Sequence, residues 1–287
     1  MTALQRWLKW IPTERDLEAL TIRFYAERAF ESRLDDLKVA LAVGVMGGVA
    51  AAISVPHLLE VMPMRADAPQ VAREVFAISH GLQAAFLTSL LAFLGIRMGH
   101  TTGLGAPLLQ GVFNQRQPYK FEKSGFVDSA LMGALIAAVS ILVLVLAGRY
   151  IVAQIDVHAA TGADISSFNA FLGSFYSAIS AEVQFRLFLL TLLVWVATRF
   201  SSKPARSWFF VAALTAALLS AVANGLVAER VGDDIMPLLG PALLDLIGGL
   251  AFGWLYCKRG LEMAIVAHLS ADLVTYVLFP VLLSWSG

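Results

Sequence analysis

Few residues in this 287-residue chain could do chemistry, and those few sit in long apolar stretches at helical spacing. Glu182 and Arg186 lie four apart, so on a helix they share one face and can form an ion pair. His268 and Asp272 repeat that spacing. A carboxylate one turn from an imidazole holds the ring in one tautomer, the arrangement that general acid–base and oxyanion chemistry use. Asn224, Asp245 and His80 are the other polar residues in apolar surroundings. An ionisable group at membrane depth costs roughly 2.5–3.5 kcal/mol on insertion scales, so each is a functional candidate. The plain alternative is a pair of neutralising bridges that only lock helices together. Of the remainder, Asp245 reads as lining the same polar centre, and His80 as lying at a membrane interface.

The elements that must position these groups follow from composition. The chain is 58% hydrophobic and 15% charged, against about 25% charged in an ordinary soluble domain. A mean hydropathy of +0.73 agrees. Backbone groups in lipid must be satisfied inside helices or closed barrels, so the expectation is an all-α, polytopic transmembrane bundle. Stretches long enough to cross about 30 Å of hydrocarbon number about seven, over residues 39–59, 75–96, 126–147, 168–198, 208–228, 236–255 and 261–285. The fourth is long enough to need a tilt or an extra turn. Formal charge is zero, which disfavours nucleic acid as a partner. One cysteine, Cys257, excludes an intrachain disulfide and a cysteine-rich metal site.

Basic residues set the expected orientation. With the N-terminus inside, sixteen Lys and Arg fall in inside segments and four outside, with Arg186 within a span. Residues 1–38 carry seven basic and seven acidic residues and no apolar core of a signal peptide. Thr13 followed by acidic residues reads as a helix cap, so this segment is expected to be an amphipathic cytoplasmic helix. Residues 39–124 are two spans and a loop, and 125–287 form the core. His100, Asn114 and the cluster at 116–123 read as an inside loop, solvated or on lipid headgroups. Gly44 with Gly48, and Gly249 with Gly253, permit close helix contact. No internal repeat points to an inverted-repeat transporter.

Over residues 125–285 the sequence resembles the CAAX-protease and bacteriocin-processing membrane proteins. Ala181-Glu182-Val183-Gln184-Phe185-Arg186 stands where that family has Glu-Glu-x-x-x-Arg. His268-Leu269-Ser270-Ala271-Asp272 matches its His-x-x-x-Asn or Asp motif, and residues 249–262 match the approach to that helix. Two positions depart. Ala181 occupies the place of the first Glu. Asn224, four after Ser220, occupies the place of a His that normally follows an aromatic.

The resemblance implies intramembrane endopeptidase cleavage of a membrane-associated peptide or prenylated protein, with no cofactor and no metal. In such a site the first Glu and a His activate water, while the late His and its partner stabilise the oxyanion. Here Glu182, Arg186, His268 and Asp272 are the implied remaining site residues, with Asn224 at the vacated His position. Ala cannot take a proton and Asn is no base, so reduced or lost hydrolysis follows. The alternative is a pseudoprotease that holds a membrane peptide as a binding or scaffold protein. Multi-pass placement in the cytoplasmic (inner) membrane is expected in either case. Hydrolysis also implies that Glu182→Ala or His268→Ala abolishes cleavage with the bundle intact.

Overall fold

A computed structural model describes residues 32–61, 72–113, 123–150, 160–161, 165–200, 206–229 and 239–286. The expected helix over residues 1–38 lies almost wholly outside these. The described regular structure is helical throughout. It comprises α1 (Arg33–Ile53), α2 (Val55–Val61), α3 (Arg73–Thr102), α4 (Pro107–Phe113), α5 (Lys123–Tyr150), α6 (Ser167–Ala181) and α7 (Thr191–Phe200). These are followed by α8 (Arg206–Glu229), α9 (Leu239–Arg259), α10 (Leu261–Asp272) and α11 (Phe279–Ser286). Wider π-helical turns join α6 to α7 (Glu182–Leu190) and α10 to α11 (Leu273–Leu278), so each joined unit is one continuous rod.

Six of these rods are long and apolar enough to cross a membrane, which makes this a multi-pass helical membrane protein. The expected seventh, the fifth in order, is present as α8, whose apolar stretch among the described residues is 207–223. The long fourth span, Ser167–Phe200, runs through the middle of the bundle and touches α1, α2, α3, α8, α9 and α10. Its length is that of a central post, and Val183, Leu187, Leu190 and Val194 are fully buried along it.

Small residues set the helix spacings. A Cβ at Gly48 of α1 would stand 2.7 Å from the Gly81 carbonyl oxygen of α3, so these two backbones meet directly. Gly249 and Gly253 of α9 lie against Ala217 and Ala213 of α8. At the α9–α10 junction Gly260 has φ 87°, a conformation that costs glycine little. The reversed chain there lets Leu261 N donate to Gly105 O, and Glu262 Oε1 accept from Leu109 N near the start of α4.

One expectation needs correction. His100 is not in a solvated loop: α3 runs on through Arg97 and His100 to Thr102, where Gly103 ends it with φ 89°. Arg97 Nη1 donates to Asp36 Oδ2 at 2.8 Å, and His100 Nε2 meets the same carboxylate at 2.9 Å. Asp36 is buried on α1, and these partners are what make that burial affordable. Arg97 and His100 themselves look like loop residues in the sequence, but the helix runs on through them and both meet the acid on α1. Asn114 and residues 116–122 lie outside the described residues, while Lys123, the last of the expected loop cluster, is the first residue of α5. Asp36→Ala is expected to lower stability by about 1–3 kcal/mol, measured as thermal unfolding in detergent; an unchanged midpoint would contradict this account of the α1–α3 clamp.

Candidate functional site

The π-helical turns fall on the two rods that carry the candidate residues. Such turns widen the helix and leave carbonyls with displaced partners, and they recur at functional sites. At Arg186 the carbonyl accepts from Thr191 N, five residues on, and from Thr191 Oγ1 at 3.2 Å. Thr191 Oγ1 in turn meets Tyr256 Oη of α9 at 2.7 Å, with Tyr256 fully buried. Arg186 is thus held from behind by an adjacent helix.

Glu182 and Arg186 form the expected pair, Nη1 to Oε1 at 3.3 Å, with the carboxylate fully buried and the guanidinium nearly so. Glu182 has a second and closer partner. His268 Nδ1 approaches Glu182 Oε1 at 2.7 Å, joining rods 86 residues apart in sequence. A carboxylate beside Arg186 offers only lone pairs, so the proton on this bond belongs to Nδ1. The other ring nitrogen, Nε2, faces Asp272 Oδ1 at 3.5 Å. The tighter grip on His268 therefore comes from Glu182 on another helix, and the Asp272 spacing on its own helix gives a looser contact. Phe252 of α9 stacks on the imidazole, centroids 4.7 Å apart and 18° from parallel, and lies beneath the Arg186 guanidinium.

These groups surround a cavity of about 70 Å³, room for a small cluster of waters. Ala181, Arg186, His268, Asp272 and Asp245 line it, with Ser177, Ser220 and Tyr276 adding hydroxyls. Ser177 is exposed, so the cavity is not sealed from the outside of the bundle. Ala181 is on the cavity wall while Glu182, one residue on, is buried behind it, the divergence that roughly 100° per helical residue requires. Asn224 belongs to α8 one turn past Ser220, which places it on the same helix face; its side chain lies outside the described residues. Asp245 lines the cavity, in line with the sequence reading. His80 sits on α3 between Phe76 and Tyr176, away from the cavity-lining residues.

Sequence reasoning missed Phe252 and Tyr276. Phe252 is seven residues after Asp245, two helical turns on the same face, a periodicity that was available but indistinguishable from ordinary core packing. Tyr276 follows Asp272 by four residues, with Thr275 between them on the wall.

His268 stands between two carboxylates with its nitrogens pointing opposite ways, so Glu182 and Asp272 do not converge on a common point. Among the described residues no three His, Cys, Asp or Glu side chains are grouped to hold a metal ion. What the arrangement can do is bind water and a carbonyl: acceptors on Asp245 and Asp272, cationic or N–H groups on Arg186 and His268, in a small polar space walled by apolar helices.

No curated protein and no solved structure matches the chain. A family model does: the one described as type II CAAX prenyl endopeptidase Rce1-like matches residues 164–274, a stretch that runs from the start of α6 to just past Asp272 and spans most of the cavity wall. The candidate site residues fall within that match, and over residues 164–274 this helical membrane protein is similar to the Rce1-like CAAX prenyl endopeptidase family.

Proposed function

We propose that the chain is an intramembrane endopeptidase that cleaves a membrane-associated peptide or prenylated protein with a non-covalent, water-based mechanism. The observation that carries this is the convergence of Arg186, His268 and Asp272 on one small polar cavity inside an apolar bundle, with Glu182 bonded to His268 behind its wall. A scissile carbonyl entering there would develop its negative charge facing Arg186 and His268, the latter donating through Nε2–H when the ring is an imidazolium. Donors placed for that charge contribute about 2.7–4 kcal/mol each. Glu182 and Phe252 hold the imidazole and are positioning residues. The protein resides in the cytoplasmic membrane with its N-terminus inside, a reading supported by the distribution of basic residues.

A second reading is favoured by one specific feature. Ala181 presents a methyl group to the cavity where the family resemblance calls for a carboxylate. On that reading the cavity holds a peptide and does not cut it. Cleavage of a library of membrane peptides in reconstituted vesicles separates the two. The natural chain is expected to cleave, and the Ala181→Glu/Asn224→His variant to cleave faster by about 10²–10⁴-fold, the usual worth of a general base. Cleavage by the double variant alone would make the natural chain a peptide-holding protein.

A further inference from the structure

We propose that Asp245 is the base that activates water in this cavity, working opposite Asp272, a carboxylate pair that stands in for the missing acid at position 181. This rests on the endopeptidase reading above. Asp245 comes from α9, a helix that carries neither the Glu182–Arg186 nor the His268–Asp272 motif, and it lines the same cavity as Ala181. Asp272 and Tyr276 line that cavity with it.

The second, independent observation is on Asp272. Its Oδ1 faces His268, while Oδ2 is buried and has no hydrogen-bond partner. A buried carboxylate oxygen without a donor is costly, and native structures nearly always supply one. Asp272 lines the cavity beside the Ser177 hydroxyl, which also acts on its carboxyl, and the volume leaves room for a water that Oδ2 can accept from. A water there shares the cavity with two carboxylates from different helices, Asp245 and Asp272. A pair of carboxyl groups holding one proton between them is a recurring device for peptide hydrolysis.

The step balances without a co-reactant. Asp245 accepts a proton from water as the water oxygen bonds to the scissile carbonyl carbon. The carbonyl π pair moves to oxygen, facing Arg186 and His268. Collapse of the tetrahedral intermediate breaks the C–N bond, and the proton held by Asp245 passes to the leaving nitrogen. The products are a carboxylic acid and an amine, and Asp245 returns to its ionised form. No residue becomes covalently attached to substrate.

The test compares the natural chain with Asp245→Asn and Asp245→Glu in reconstituted membranes, on the same peptide library, with the Ala181→Glu/Asn224→His variant as the positive comparison. Asp245→Asn keeps the shape and removes proton acceptance. It is expected to lower kcat by about 10²–10⁴-fold with KM changed less than about threefold, while Asp245→Glu recovers part of the loss because the carboxylate is restored. A purely structural Asp245 would instead lower the unfolding midpoint in both variants and show no recovery with Glu. If the natural chain cleaves and Asp245→Asn cleaves within threefold of it, Asp245 is not the base and the endopeptidase reading stands. If the natural chain fails where the Ala181→Glu/Asn224→His variant cleaves, both fall together. Should Asp245→Asn fail to fold, the rate of Asp245→Glu decides: a rate indistinguishable from that of the natural chain despite the longer arm overturns the assignment.

Discussion

Glu182→Ala is expected to destabilise the protein by about 3–5 kcal/mol, the cost of leaving one member of a buried ion pair without its partner. Arg186 would remain nearly fully buried, with the Ala181 carbonyl at 3.5 Å and the Phe252 ring face beside it. His268 would lose its closest partner at the same time. The measurement is the unfolding midpoint in detergent. Replacing both partners by apolar residues, Glu182→Leu with Arg186→Met, should cost less than Glu182→Ala alone, because no charge is then stranded. A Glu182→Ala protein as stable as the natural one would show that water reaches Arg186 freely and that the pair is not dry. This revises an expectation from the sequence. Loss of cleavage in Glu182→Ala would report a damaged bundle as much as a damaged site, so Glu182→Gln, which keeps a hydrogen-bond acceptor for Nδ1–H, is the variant that tests chemistry.

The second large effect is expected at a residue with no chemistry. A Cβ at Gly133 of α5 would collide with the carbonyl oxygen of Ala267, the residue before His268. The obstacle is backbone, so no side chain can swing aside, and α10 must move. Overpacking of this kind costs about 1–3 kcal/mol. The displacement also carries His268 away from Glu182, and a shift on the order of 1 Å in a catalytic group can cost about 10²-fold in rate. Gly133→Ala should therefore lower both the unfolding midpoint and any cleavage. Gly125→Ala, on the same helix, is the matched comparison. There the nearest atom is the Met263 sulfur at 3.9 Å, an ordinary contact, and little change is expected. Equal behaviour of the two variants would mean that α5 does not set the position of the His268 helix.

How far this site was legible follows from what periodicity encodes. Composition settled that the chain is helical and membrane-spanning, since so few charges leave the backbone no partner but itself in lipid. Spacing settled which polar residues share a helix face, and the Glu182–Arg186 and His268–Asp272 pairs are found as spaced. Spacing also told that position 181 and Glu182 face different ways.

Tertiary structure decided everything that depends on the rotation of one helix against another. Hydropathy leaves that angle open in a bundle whose outer faces are all apolar; backbone contacts at small residues set it, as at Gly133 against Ala267 and Gly95 against Leu187. From those contacts follow the bond between Glu182 and His268, the placing of Asp245 and Asp272 on one cavity wall, and the stack of Phe252 on the imidazole. The meeting of His100 with Asp36 has the same origin, because only the packing of α1 on α3 gives the polar end of α3 an acid to bury. One-dimensional spacing places residues on a face, and close packing between backbones decides which faces meet.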